Sequence, residues 1–209
     1  LKMRTNNKDL PLDQFIEFAL YDKDKGYYMK KNPFGKEGDF ITAPNITRLF
    51  SEIIAIWVVT FWKSIGSPKK FNLVELGAGN GEMMKVIAET LKNFPECFLN
   101  CNFLIHEKSE FLKKKQQINL ESEKITWIEN IEITNSFPTI FLANEFFDAL
   151  PIKQFFRKKE GWVERFVNLK EKEKAEFKEQ STDIKIIEQK LNFEISKDQE
   201  IIEYSPGSF

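Results

Sequence analysis

The 209-residue chain is poor in the residues that make metal and disulfide chemistry easy: two cysteines, Cys97 and Cys101, and one histidine, His106. Cys-x3-Cys with a single nearby imidazole lacks the fourth ligand of a closed zinc site, so no metal is expected. So few cysteines suit a reducing compartment and exclude a disulfide-stapled scaffold. An excess of charge is missing too. Thirty-one basic side chains stand against 32 acidic ones, which leaves no field to gather nucleic acid. Long apolar runs are absent: the longest candidate, Ile53 to Phe61, falls short of the ~18 residues a membrane span needs. Neither a nucleic-acid partner nor membrane insertion is therefore expected.

Glycine is scarce as well, at nine residues, yet Gly77, Gly79 and Gly81 fall at every second position behind the β-rich run Phe71 to Leu76. Glycine there lets the backbone turn sharply and lie against a ligand with no Cβ in the way. A helix starting near Gly81 aims free N–H groups into the same crevice. A dinucleotide fingerprint is G-x-G-x-x-G. Here the third glycine comes one residue early, and Glu82 stands where the last glycine would be. A carboxylate at that point repels a pyrophosphate. Glu75, at the carboxyl end of the strand, can instead accept hydrogen bonds from an ammonium. A ligand with an amino-acid end, a nucleoside end and no phosphate fits this junction, and S-adenosyl-L-methionine is such a ligand.

About 70 residues of helix and loop precede the glycines. Leu12, Phe15, Ile16 and Ala19 share one face of a first helix, and a polar turn, Tyr21 to Tyr28, follows. A glycine-containing loop, Gly35 to Pro44, leads into a second helix in which Ile46, Phe50, Ile53, Trp57 and Phe61 recur at helical spacing and are expected to face the core. Gly66-Ser67-Pro68 stops it. Strands then alternate with helices: Phe71 to Leu76, Phe103 to Glu107, Ile125 to Ile128 and Thr139 to Ala143, with a helix from Glu82 to Phe94 between the first two. That alternation predicts an α/β fold with a doubly wound, mostly parallel sheet. Beyond Pro151, Lys153 to Arg157 and Trp162 to Val167 read as a β-hairpin, the charge-rich Lys170 to Gln180 as a solvated loop, and Ile184 to Leu191 as a short helix. Three segments result: an N-terminal extension (1–68) with a loop covering the cofactor, a Rossmann-like core (69–151), and a hairpin insertion (152–209). Four parallel strands make a thin sheet with an unprotected edge, so the chain is expected to be a fragment that lacks C-terminal strands.

In open α/β sheets ligands sit outside the carboxyl ends of the strands. Glu107 ends the second strand, where a carboxylate can accept from both ribose hydroxyls. The third strand offers Trp127, Glu129 and Asn130 towards an adenine, with core packing as the alternative reading of Trp127. Asn144 and Glu145 end the fourth strand, and Asp148 follows two phenylalanines. Such an apolar but anionic site suits a cationic or amide nitrogen acceptor. An arginine stays protonated at ordinary pH, so carboxylates would orient it. Glu145 and Asp148 have an alternative reading as helix N-terminal caps.

These segments together resemble the MidA-like family of S-adenosyl-L-methionine-dependent methyltransferases. The resemblance is carried by Leu12 to Tyr28 (LDQFIEFALYDKDKGYY), Gly38 to Trp57 (GDFITAPNITRLFSEIIAIW), Val74 to Gly81 (VELGAGNG), Asn144 to Pro151 (NEFFDALP) with Gln154-Phe155, Trp162 to Val167 (WVERFV), and Glu203 to Pro206 (EYSP). It implies a class I methyltransferase fold, with the Gly38 to Pro44 loop, Gly38, Asp39 and Thr42 included, folding over the cofactor. It also implies symmetric dimethylation of an arginine in a respiratory NADH dehydrogenase (complex I) subunit, in the mitochondrial matrix of a eukaryote or the cytoplasm of a bacterium. Asn45 stands where the family usually has a glutamate, and Ser51 where it usually has a glycine. The cofactor residues expected are Gly38, Asp39, Thr42, Glu75, Gly77, Gly79, Gly81, Glu107 and Glu129, and the catalytic ones Asn144, Glu145 and Asp148. Two rival readings are a non-catalytic assembly chaperone that binds the cofactor and a small-molecule methyltransferase.

Overall fold

The computed structural model describes residues 9–35, 38–169 and 175–206. In chain order the elements are β1 (Leu10–Pro11), α1 (Leu12–Tyr21), α2 (Tyr27–Lys30), α3 (Ala43–Ile46), α4 (Arg48–Ser64), β2 (Phe71–Leu76), α5 (Glu82–Leu91), α6 (Pro95–Asn100), β3 (Cys101–His106), α7 (Glu110–Asn119), β4 (Ile125–Ile128), β5 (Thr139–Leu142), β6 (Lys153–Lys158), β7 (Gly161–Leu169), β8 (Ala175–Thr182), α8 (Ile184–Leu191) and β9 (Ile201–Tyr204). They form two compact units, residues 23–149 in one and the remaining N- and C-terminal segments in the other.

The unit of residues 23–149 is the parallel α/β layer that the strand–helix alternation predicts. Its sheet runs β4-β3-β2-β5, every pair parallel. All six residues of β2 are buried, as a central strand covered on both faces requires. Phe71, Leu73, Phe103, Ile105 and Ile140 join Met83, Met84, Ile87 and Leu91 of α5 in the main core, while Val74, Leu76, Leu104 and Ile128 form a smaller cluster. Where the sheet begins, Asn72 donates to the Thr134 carbonyl at 3.2 Å and accepts from Asn102 at 2.9 Å, so a buried polar side chain is satisfied.

Helix α4 corrects one expectation. The face it buries is Ser51, Ala55, Val58, Val59 and Trp62. Of the set expected inside, Ile46, Ile53, Trp57 and Phe61 are exposed, Ile53 at 58% and Trp57 at 49%. Small residues decide the matter. Ser51 and Ala55 let α4 approach α5 closely, and the branched and aromatic side chains on the opposite side stay outward, Trp57 stacked on Phe61 at 5.3 Å. The Ser51 hydroxyl is buried there without a partner. The helix stops as expected, with Gly66 at φ +89° and the Trp62 indole donating to the Pro68 carbonyl at 3.0 Å.

In the other unit the hairpin β6–β7 belongs to a five-stranded sheet ordered β1-β7-β6-β9, with β8 on β7. Ala175 to Gln180, expected as part of a solvated loop, instead belongs to β8, which pairs with β7 along its whole length. Residues 170–174 lie outside the described residues. Seven of the eight β8 residues are exposed, so no apolar alternation marked the strand in the sequence. Helix α8, expected at Ile184 to Leu191, packs Ile187 onto Phe155, Trp162 and Ile202. Lys153 sits in the sheet between Asp13 and Glu164, with both partners' carboxylates in ion-pair range.

Candidate cofactor and acceptor site

The site is built at the carboxyl ends of β2, β3, β4 and β5. After Leu76 the chain turns through Gly77, Gly79 and Gly81, at φ +65°, +55° and +84°, a region that L side chains enter only at a cost. A Cβ on Gly77 would lie 2.7 Å from the Phe146 ring, and one on Gly81 2.9 Å from Leu120. The Gly77 N–H donates to the His106 carbonyl at 2.9 Å, extending the β2–β3 ladder by one bond into the turn.

Glu75 is 4% exposed. It accepts from the Met84 backbone N–H in the first turn of α5, yet burial outweighs that bond and pushes its carboxyl up to about 8, with Glu107 adding repulsion. One carboxylate oxygen, Oε2, is buried with no partner. An orphaned acidic acceptor beside a glycine turn fits a ligand ammonium group, because an unpaired buried charge is costly until a cation reaches it.

Glu107 follows β3. Its Oε1 accepts from the Ser109 N–H at 2.9 Å and its Oε2 from the Gln116 side chain at 3.0 Å. Burial raises its carboxyl, and the donors from Ser109, Gln116 and the Lys108 backbone work against that rise. The carboxylate is thus held in a fixed plane, as acceptance from a ribose diol requires. Trp127, an adenine candidate, packs against the main core, and its indole donates to Gln116 at 2.9 Å. Glu129 is exposed just past β4, and Asn130 caps the short 3-10 helix Ile131–Ser136 by accepting from the Glu132 N–H at 2.8 Å.

The loop before α3 contributes differently from its glycine pattern. Phe34 and Phe40 form a bridge, and a Cβ on Gly38 would fall 2.3 Å from the Pro33 carbonyl oxygen, so only glycine fits that crossing. Asp39 is engaged by Tyr27 and Lys31, whose hydrogen bonds, Lys31 first, hold its carboxyl below the ordinary value. Thr42 precedes α3, and its hydroxyl donates to Asn45 at 3.3 Å. The residue that reaches the glycine turn is Phe34. Its ring lies 3.3 Å from where a Gly79 Cβ would be, stacked on Tyr28 with centroids 6.1 Å apart, and its carbonyl accepts from Asn80 at 3.4 Å.

At the end of β5, Leu142 pairs with Glu75, which brings Asn144 and Glu145 level with the glycine turn. Glu145 is exposed at φ +51°, an unusual conformation for a residue with a Cβ. That turn carries Phe146 back onto Gly77. Asp148 lies in the 3-10 turn Phe147–Ala149 and raises the Tyr28 phenol, after burial, as Glu107 also does. Strand ends therefore bring Glu75, Gly77, Gly79, Gly81, Glu107, Asn144, Glu145 and Asp148 to one side of the sheet. Sequence reasoning counted Phe146 in the apolar part of the acceptor site but missed Tyr28, Phe34 and Gln116. Tyr28 ends a quoted motif and Phe34 immediately precedes the Gly35 to Pro44 loop, so both could have been found as aromatic residues flanking them. Gln116, in the run KKKQQ, carried no signal.

Among the described residues no group of three or more His, Cys, Asp or Glu could hold a metal ion. No helix of the described residues is long and apolar enough to cross a membrane.

A family model described as "Putative S-adenosyl-L-methionine-dependent methyltransferase" matches residues 53–209. The human mitochondrial protein arginine methyltransferase NDUFAF7 is 30% identical over 180 residues, covering 75% of this chain and 41% of that protein. The Drosophila melanogaster homolog of NDUFAF7 is 31% identical over 184 residues, covering 77% and 41%. A Burkholderia thailandensis protein solved with S-adenosyl-homocysteine bound matches 95% of this chain and 52% of its own, with a TM-score of 0.75 at 22% identity. That likeness shows the fold. The chain spans less than half the length of the curated relatives it matches.

Proposed function

The chain belongs to the S-adenosyl-L-methionine-dependent methyltransferase family, and from that premise we propose that it binds this cofactor and methylates an arginine of a protein substrate. The observation that carries the reading is the orphaned, buried Glu75 oxygen beside the glycine turn, with the fixed Glu107 carboxylate at the next strand end. One acid suits an ammonium and the other a ribose diol. Glycines 77 and 79 leave room for the chain joining them, and the two acids would repel a phosphate placed between them. The cofactor, when bound, supplies an electrophilic methyl group on a sulfonium sulfur.

The protein's own contribution is alignment and exclusion of water. Phe34, Phe146 and Tyr28 wall the turn with apolar surface. Asn144, Glu145 and Asp148, on the β5 side of the turn, orient a guanidinium that stays charged at ordinary pH. Gly38, Asp39 and Thr42 shape and anchor the loop that carries Phe34, and Glu129 stands at the adenine end. The arginine acceptor is supported by the printed names of the relatives. The family resemblance supports a subunit of respiratory NADH dehydrogenase as the acceptor protein. It also supports the mitochondrial matrix in a eukaryote, or the cytoplasm in a bacterium, as the compartment.

Glu145→Gln tests the acceptor role. Transfer of labelled methyl to an arginine-containing NADH dehydrogenase subunit is expected to fall by about 100-fold or more, with cofactor affinity unchanged. Glu145→Gly should lose transfer equally while gaining about 1 kcal/mol of stability, because the left-handed backbone costs glycine nothing. Transfer that persists in Glu145→Gln removes the acceptor role. Cofactor binding without any transfer in the unsubstituted protein favours the chaperone reading.

A further inference from the structure

Gln116 is fully buried on α7, at 0% exposure, and every polar atom of its amide is used. Nε2 donates to the Gly79 carbonyl at 2.9 Å and to Glu107 Oε2 at 3.0 Å, and Oε1 accepts from the Trp127 indole at 2.9 Å. A carbonyl and a carboxylate only accept, and an indole only donates. Rotating the amide by half a turn would set acceptor against acceptor twice and donor against donor once, so the network admits one orientation. Three separate pieces of the site, the glycine turn, the end of β3 and β4, meet at this one side chain.

The same helix holds the other half of Glu107. Ser109, the N-cap of α7, donates its N–H to Glu107 Oε1 while its hydroxyl accepts from Leu112 and donates to the Tyr28 carbonyl. One turn beyond Gln116's donors, Asn119 donates to the Asn80 carbonyl at 2.9 Å. Helix α7 therefore grips the turn through Gln116 and Asn119, three residues apart on one face, and grips Glu107 at both oxygens.

We propose that Gln116 is a positioning residue for ribose recognition, holding Glu107 ionised and in the plane needed to accept from a vicinal diol and tying that plane to the glycine turn. This rests on the S-adenosyl-L-methionine reading given above. Without the amide, Glu107 loses a donor in a site where burial already opposes its charge. The loss falls on ligands that present ribose hydroxyls and leaves untouched those that do not. A residue serving only to fill the core would weaken both kinds alike.

The test is calorimetric titration of the 209-residue chain with S-adenosyl-L-homocysteine and with its 2′,3′-dideoxy analogue. The unsubstituted chain should prefer the ribose form. In Gln116→Leu, affinity for the ribose form should fall about tenfold or more, and affinity for the dideoxy form less than about threefold. Gln116→Met keeps the length of the side chain without adding a charge and guards against a variant that fails to fold. It removes the donor to Glu107 and should reproduce the selective loss of the ribose form. Equal weakening of both ligands in whichever of the two variants folds overturns the inference while leaving the cofactor reading intact. Failure of the unsubstituted chain to bind S-adenosyl-L-homocysteine overturns both.

Discussion

Glu75→Gln is expected to stabilise the ligand-free protein at pH 8 and to weaken binding of S-adenosyl-L-homocysteine by about 10- to 100-fold. Burial lifts the Glu75 carboxyl from an ordinary 4.5 to about 8. Between those values the folded chain keeps a proton that the unfolded chain has released. Stability contributed by this group is therefore complete below pH 4.5 and falls as pH rises towards 8. The loss is on the order of a few kcal/mol at the alkaline end. Glutamine retains an acceptor for the Met84 N–H and carries no charge to desolvate, so the variant should lack that decline. Denaturant titrations at pH 5 and pH 8 measure it. Binding carries the opposite trend. A ligand ammonium pairs with the ionised form, so the unsubstituted protein should bind more tightly as pH rises towards 8 and release a proton on binding. The variant should do neither. An unchanged pH dependence of stability in Glu75→Gln would remove the buried acid from the account.

Gly77→Val should abolish measurable cofactor binding and cost about 2–3 kcal/mol of stability. Two independent faults combine. The backbone at φ +65° disfavours any β-branched residue, and the new Cβ would start 2.7 Å from the Phe146 ring. Phe146 walls the proposed cofactor turn, so displacing its ring reshapes the surface a ligand would lie against. Gly66→Val separates the faults. Gly66 sits at φ +89° at the end of α4 with nothing within 4 Å of an added Cβ, so it carries the strain alone and should bind the cofactor normally. If both variants bind S-adenosyl-L-homocysteine like the unsubstituted protein, the turn is not the cofactor cradle.

How far the sequence could be read depended on how local each determinant is. The strands β2 to β5, the glycine turn and the acids at the strand ends are written in short contiguous runs, and the structure places them together. Helix α4 defeated the periodicity argument because it is apolar almost all round. With large residues on one side and Ser51, Ala55 and Val58 on another, hydrophobicity alone chose the larger side. The packing chose the side that lets two helix backbones approach. Strand β8 was unreadable because its partner β7 supplies the pairing and its own side chains stay in solvent. Gln116 was hidden for a related reason. Its three partners lie at residues 79, 107 and 127, and nothing in a run of lysines and glutamines announces a buried amide. The Glu145 backbone turn and the approach of Phe146 to Gly77 likewise arise from two segments nearly 70 residues apart.

Calorimetric titration of the chain with S-adenosyl-L-homocysteine, ATP and NAD in turn addresses the central claim most directly. Saturable one-to-one binding of the first, with no detectable heat from the two phosphorylated nucleotides, is the result expected of a crevice whose acids, Glu75 and Glu107, meet a phosphate as like charges. Binding of ATP or NAD in preference to S-adenosyl-L-homocysteine would contradict it.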